Sequence, residues 1–336
     1  MTQLGPLLES LHVLHSPSLH GTREASVRLL DARIAPLTVS GFAERVTGHE
    51  PGDIMGSVST LVDLDASHVE DAVFRGAVKS IQVRQLSNAM KHLAALKAIS
   101  VTPSSVASST GVRFSAIVED DALFTDNVAT VLRSVVTNAP ADADIVFMGL
   151  PSPRAPPQDG GAFFDEALKV FDPVVPAIDS YLVTPAAAAK MAAAFTPVRF
   201  PTHIQLSYLV KTLGLKAYVS VPNVFVDGSK IGVFASSLDP NNRLLWNQQY
   251  CQLEAVLRSG AVPTEAEFAE IWAKQAFKVS PDNVALRAAY LFKAGRFDEA
   301  EKAFEEAMET YDRNGCIVNN TSEFLRAFIA LYRKKQ

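Results

Sequence analysis

Ile117-Val118-Glu119-Asp120-Asp121-Ala122-Leu123-Phe124 joins an apolar run to three adjacent acids. Residues 112–118 hold β-formers with one Arg and one Ser, the composition of a buried strand. Three carboxylates do not continue into an apolar layer, so the chain is expected to surface there. That places an oxygen-rich site at the carboxyl edge of a sheet, where open α/β sheets bind ligands. Adjacent carboxylates repel unless a cation neutralises them, and oxygen donors suit Mg²⁺ or Mn²⁺. An ion held there would bridge to nucleotide phosphates. A solvated turn at a strand end has the same composition, so the surrounding chain must distinguish the two.

Composition narrows the classes. With 336 residues, 48% apolar and 20% charged, the chain reads as an ordinary globular protein, long enough for a large domain and a small one. A net charge of −5 gives no reason to expect a nucleic-acid partner. The only cysteines, Cys251 and Cys316, form no CxxC pair, which supports neither a zinc site nor a disulfide framework. The first residues lack the basic and apolar regions of a signal peptide, and no apolar run approaches a membrane span. A cytoplasmic location without a transmembrane segment is the expectation.

Upstream of the acids, Leu11–Leu14 reads as a strand, followed by a polar loop from His15 to Arg23. A helix capped by Thr22 follows, with Val27, Leu30 and Ile34 inward. Strand, polar loop and helix form the first βα unit of a nucleotide-binding fold. Arg23, at the helix start, suits a diphosphate because its planar fork donates two bonds. Phe42–Val46 is a second strand. Asp63-Leu64-Asp65 has a DxD spacing, but reads better as a cap for a helix around Val69–Val78. Leu86–Ile99 is a helix, and His92 beside its apolar face fits a packed core histidine.

Downstream, a helix is expected over Asn127–Thr137 and a strand over Asp144–Leu150. A Pro/Gly loop over Pro151–Gly161 is a lid candidate. A strand at Asp179–Thr184 leads into an Ala-rich helix with Pro185 in its first turn. A helix over Pro201–Leu213 and a strand over Lys216–Val221 lead to a loop holding Asp227, Ser229 and Lys230. From about Asp239 helical periodicity takes over. Residues 285–310 resemble a tetratricopeptide-type helical hairpin, with Gly295, Phe297, Ala300, Phe304 and Ala307 at its packing positions.

Four blocks, in order, resemble the glycosyltransferase family 25 group, which includes lipooligosaccharide and collagen galactosyltransferases. They are AIVEDDALF (116–124), LSNAMKHLAALKAIS (86–100), the Ser180–Pro185 strand with its helix, and the segment from Pro201 to Phe234. The resemblance covers roughly residues 10–238. Lys91 stands where the family has Ser, and His203 stands where it commonly has Asp.

The alternation of strands and helices gives a three-layer α/β domain over residues 1–238, and helical periodicity gives a small all-α region over 239–336. The resemblance implies that the α/β domain is a GT-A fold. It also implies an inverting transferase that uses Mn²⁺ or Mg²⁺ and a nucleotide diphosphate sugar. The expected metal ligands are Glu119, Asp121 and Asp227. His15, Ser16, Arg23, Asn88, Glu119 and Lys230 are the expected nucleotide-binding residues. His203 and Asp120 are the candidate catalytic groups, His203 as base because its ordinary pKa is near neutral. The acceptor would be a glycan or glycoconjugate hydroxyl, and the C-terminal helices offer a surface for a protein partner or self-association. A transferase fold that has lost catalysis and serves as a binding module is the alternative. A phosphotransfer enzyme is a weaker one, since no P-loop GxxxxGK[ST] is present.

Overall fold

A computed structural model of the protein describes residues 6–17, 22–78, 80–101, 113–124, 127–149, 162–171, 178–221, 223–227, 264–273, 287, 290–291 and 294–303. In chain order its elements are β1 (Leu8–Leu14), α1 (Thr22–Ile34), β2 (Glu44–Val46), the short helices α2 (Pro51–Ile54), α3 (Val58–Leu61) and α4 (Ala72–Arg75), then α5 (Val83–Val101). There follow β3 (Phe114–Glu119), β4 (Ala122–Leu123), α6 (Val128–Asn138), β5 (Ile145–Phe147), β6 (Phe163–Glu166), α7 (Ala167–Phe171) and β7 (Ser180–Val183). The remainder are α8 (Pro185–Ala194), α9 (Thr202–Thr212), β8 (Ala217–Val221), β9 (Val226–Asp227) and α10 (Glu265–Ala273).

Seven strands form one mixed sheet in the order β2-β1-β3-β7-β5-β8-β6. β1 is parallel to β2 and β3, and β5 is parallel to β8. β7 runs antiparallel between β3 and β5, and β6 antiparallel on β8. The fold class is therefore α/β with a mixed sheet. Because β1 has β2 on one side and β3 on the other, the chain order reverses at β1. In open α/β sheets that is the point where ligands bind, outside the carboxyl ends of the strands.

On one sheet face Ile117, Tyr181, Val183, Ile145, Phe147 and Val219 join a single core with Leu93 and Leu96 of α5, Ala187 and Met191 of α8, and Leu206 and Val210 of α9. The alternate strand residues Val118, Leu182 and Val146 are equally buried, so both faces are covered. That is why these strands read as unbroken apolar runs. Fully burying one such side chain contributes about 1.5–3 kcal/mol. Thr184 caps α8, its side chain accepting from the Ala187 amide, and Pro185 occupies the first turn. The alanines then let α8 approach α5 closely, and Ala187 and Ala188 are fully buried.

Two expectations change. The second strand shortens to Glu44–Val46, because Phe42 is 59% exposed and anchors nothing. Asp65 caps a short 3-10 turn at Ala66–His68, while the helix expected near Val69–Val78 is α4, capped by Asp71. Asp63 accepts from His68 at 2.9 Å and pairs with Arg199 at 3.0 Å. The His68 hydrogen bond, foremost, holds its carboxyl below the ordinary value. The DxD spacing there is thus spent on local caps and pairs.

The chain forms two compact units, Met1–Asp120 with Asn127–Val224, and Asp121–Asp126 with Phe225–Gln336. The expected boundary at 238/239 lies outside the described residues. In the second unit β4 and β9 pair antiparallel, with Ala122 opposite Asp227. Phe124 meets Phe225 edge-on at 6.4 Å, and Phe268 stacks on Tyr290 at 3.7 Å. Gly295 turns at φ +73°, which a glycine adopts without Cβ strain, and residues 297–303 are helical with Ala300 and Ala303 buried. Phe304 and Ala307 lie outside the described residues.

Candidate functional site

The carboxyl ends of β1 and β3 are joined by one side chain. The Asp120 amide donates to the Leu14 carbonyl at 3.1 Å, which brings the turn after β3 against the end of β1. The Asp120 carboxylate then accepts from Arg23 Nη1 at 2.9 Å on Oδ1. On Oδ2 it meets the Ser16 amide at 3.0 Å and His15 Nδ1 at 2.9 Å. Asp120, His15 and Arg23 are all buried. A carboxylate so placed needs several donors to offset its lost hydration, and it has three. His15 Nε2 also lies 3.4 Å from Glu24 on α1.

α5 supplies the second half of the cluster. Asn88, Lys91 and His92 are spaced i, i+3 and i+4, so they share a helix face. Lys91 Nζ donates to the His15 carbonyl at 3.2 Å and to Ser16 Oγ at 2.9 Å, and pairs with Glu50. Ser16 Oγ donates to the same Glu50 oxygen at 3.2 Å. Glu50 is presented by a turn in which His49 takes φ +63°, the left-handed region that a non-glycine residue enters only at a cost. Ser87 Oγ pins that turn by donating to the His49 carbonyl at 2.6 Å.

Asn88 and His92 both reach Glu119. Asn88 Nδ2 donates to Glu119 Oε1 at 3.0 Å and to Thr202 Oγ1 at 3.3 Å. His92 Nε2 lies 3.3 Å from Glu119 Oε1, and its Nδ1 lies 3.0 Å from the Tyr181 hydroxyl. Burial pushes the His92 pKa down to about 3, so the ring is neutral. Burial first, and the Glu119 charge second, raise the Tyr181 hydroxyl well above its ordinary value. Across the ladder the Glu119 amide donates to the Asp179 carbonyl at 2.7 Å. The buried Asp179 carboxylate in turn lies against Gly149, where a Cβ would stand 1.9 Å from its Oδ1.

Of the residues read from the sequence as a site, the first unit brings together His15, Ser16, Arg23, Asn88, Glu119 and Asp120. Arg23 is committed to Asp120, which neutralises the charge expected to meet a diphosphate. Asp120 has both oxygens engaged, which argues against its use as a base. His203 lies half-buried in the first turn of α9, next to Thr202, and its carbonyl accepts from Ser207. Asp121 and Asp227 belong to the second unit, where Asp121 immediately precedes the β4–β9 ladder that Asp227 closes. Among the described residues no group of three or more His, Cys, Asp or Glu is arranged to hold a metal. Lys230 and the Pro151–Gly161 loop lie outside the described residues.

Glu50, Lys91, Tyr181, Thr202 and Asp179 take part without having been singled out as site residues. For Lys91 a signal existed, a lysine one position from Met90 in the buried run of an amphipathic helix. The others depend on contacts between distant segments. No protein-family model and no curated protein sequence matches the chain. No helix among the described residues is long and apolar enough to cross a membrane.

Proposed function

We propose that the protein is a metal-dependent glycosyltransferase that moves a sugar from a nucleotide diphosphate sugar to an acceptor hydroxyl, with a GT-A-type arrangement of its α/β unit. One observation carries this reading. The switch point of the sheet, between β1 and β3, is lined by a prearranged set of polar side chains on the loop after β1 and the acidic turn after β3. A solvated turn would leave those acids exposed and mobile, whereas here Asp120 is buried and held by three donors. In this reading Glu119 meets ribose hydroxyls, as carboxylates at this edge do in dinucleotide sites. Ser16 and Asn88 orient the nucleoside.

Asp121 and Asp227 are the residues that would hold Mn²⁺ or Mg²⁺. Two carboxylates fit such an ion, which keeps waters and takes further ligands from substrate phosphates. Bound there, the ion would neutralise charge on the leaving diphosphate. In this reading His203 would accept the proton of the acceptor hydroxyl, because the ordinary pKa of a histidine is near neutral. Incubation with a panel of nucleotide diphosphate sugars, Mn²⁺ and glycan acceptors, read by product mass, tests transfer. A hexose-sized mass gain on an acceptor is expected, and its absence across the panel while nucleotides bind leaves the second reading.

That second reading is a binding module on a transferase-type fold. The engagement of both Asp120 oxygens by Arg23, His15 and Ser16 favours it, as does a histidine where the resemblance leads one to expect an acid. Under it, nucleotide sugars raise the melting temperature but are not consumed.

A further inference from the structure

Glu119 is held from behind by a chain of buried groups that the transferase reading does not use. His92 is fully buried, and its ring lies parallel to that of Tyr181, with centroids 5.7 Å apart and an interplanar angle of 11°. Its Nδ1 faces the Tyr181 hydroxyl at 3.0 Å and its Nε2 faces Glu119 Oε1 at 3.3 Å. Tyr181 itself is wedged in the core against Phe147 at 6.2 Å, so its hydroxyl is fixed by packing.

The proton positions follow from chemistry. An ionised carboxylate only accepts, so the nitrogen facing Glu119 must carry the proton. A neutral imidazole has one N–H, which leaves Nδ1 as an acceptor for the Tyr181 hydroxyl. The order is therefore Tyr181 O–H to His92 Nδ1, then His92 Nε2–H to Glu119 Oε1. Asn88 donates to that same oxygen, so one carboxylate oxygen receives two donors from one helix. Two donors on that oxygen restrict the rotation of the carboxylate.

We infer that His92, set in the Nε2–H tautomer by Tyr181, is a positioning residue that orients Glu119 to accept hydroxyl groups of a sugar, namely the ribose of the nucleotide. This rests on the transferase reading for its ligand. The relay itself rests only on the contacts above. Free rotation of Glu119 would have to be frozen on binding, and a preset carboxylate avoids that cost.

The test has two arms on the full-length protein. Long-range proton–nitrogen NMR of the ¹⁵N-labelled chain at pH 7 reads the His92 tautomer without any ligand, and a protonated Nε2 with a bare Nδ1 is expected. Calorimetric titration with a panel of nucleoside diphosphates and Mn²⁺ then compares variants. Tyr181→Phe keeps the ring and removes the donor, and is expected to weaken binding about tenfold, the scale of one hydrogen bond in a charged network. His92→Phe is expected to weaken it at least as much. His92→Gln, whose amide reproduces the Nε2 donor, is expected to restore binding to within about threefold of wild type. Should the His92 variants fail to fold, Tyr181→Phe still decides. A protonated Nδ1, or wild-type affinity in folded Tyr181→Phe, overturns the relay alone. Absence of nucleotide binding by the wild type overturns the transferase reading, and with it the ligand assigned to Glu119.

Discussion

Arg23 Nη1 and Asp120 Oδ1 stand 2.9 Å apart, with both side chains buried, so each is the counter-charge that permits the other inside the protein. The pair joins the first turn of α1 to the turn after β3, two segments 97 residues apart. It fixes the turn after β3 against the start of α1. Asp120→Ala leaves the guanidinium buried without that partner and should cost about 3–5 kcal/mol. Adding Arg23→Met should recover part of the loss. Urea unfolding of the two single variants and the double variant measures both values. A cost under about 1 kcal/mol for Asp120→Ala would contradict a buried pair.

Gly149 is required by close approach. A methyl group there meets Oδ1, Cγ and Oδ2 of Asp179 at 1.9, 2.5 and 2.5 Å, and Asp179 is too buried to swing away. Gly149→Ala should therefore destabilise by about 1–3 kcal/mol. In a double-mutant cycle, Asp179→Gly should remove most of that penalty, because it removes the carboxylate that clashes. Additive losses in denaturant unfolding would show that the strain lies elsewhere.

The pH dependence of stability carries the signature of buried neutral histidine. His92 titrates at about 3 when folded and near 6.5 when unfolded, so between those values the unfolded chain binds more protons. Stability is then full above about 6.5 and falls on acidification, with a slope up to roughly 1.4 kcal/mol per pH unit from this group. His12, whose pKa is lowered chiefly by burial, adds in the same direction. His68 acts oppositely. Its pKa is raised by the Asp63 hydrogen bond, so its contribution is present below 6.5 and is lost as pH rises through the raised value. Folded His92→Phe should show a flatter slope between pH 6.5 and 4.5 than the wild type. An unchanged slope would mean that His92 is not neutral in the fold.

Much of the α/β unit was legible in the sequence. Leu86–Ile99 lies within α5, and the Ala-rich helix with Pro185 in its first turn is α8, since apolar spacing and capping chemistry are local signals. Strand direction was not legible. Ser180–Val183 is buried throughout, and a run buried on both faces reads the same whether parallel or antiparallel, so the reversal of β7 is invisible in it. That the three acids end a buried strand was legible, but the commitment of Asp120 to Arg23 was not. Nor were the Glu50–Lys91 pair and the Asp179–Gly149 contact. Each joins segments whose proximity is created by the sheet order, and no spacing along the chain encodes it.

The proposed function requires a metal-nucleotide site at the acidic turn. Isothermal titration of the wild type and Asp121→Asn with a panel of nucleotide diphosphate sugars, with and without Mn²⁺, tests it most directly. At least one sugar nucleotide is predicted to bind the wild type between about 1 µM and 1 mM, and only with metal. Asp121→Asn, nearly isosteric, should lose that binding while still unfolding cooperatively. No heat for any sugar nucleotide with Mn²⁺, or equal binding by wild type and Asp121→Asn, would contradict the claim.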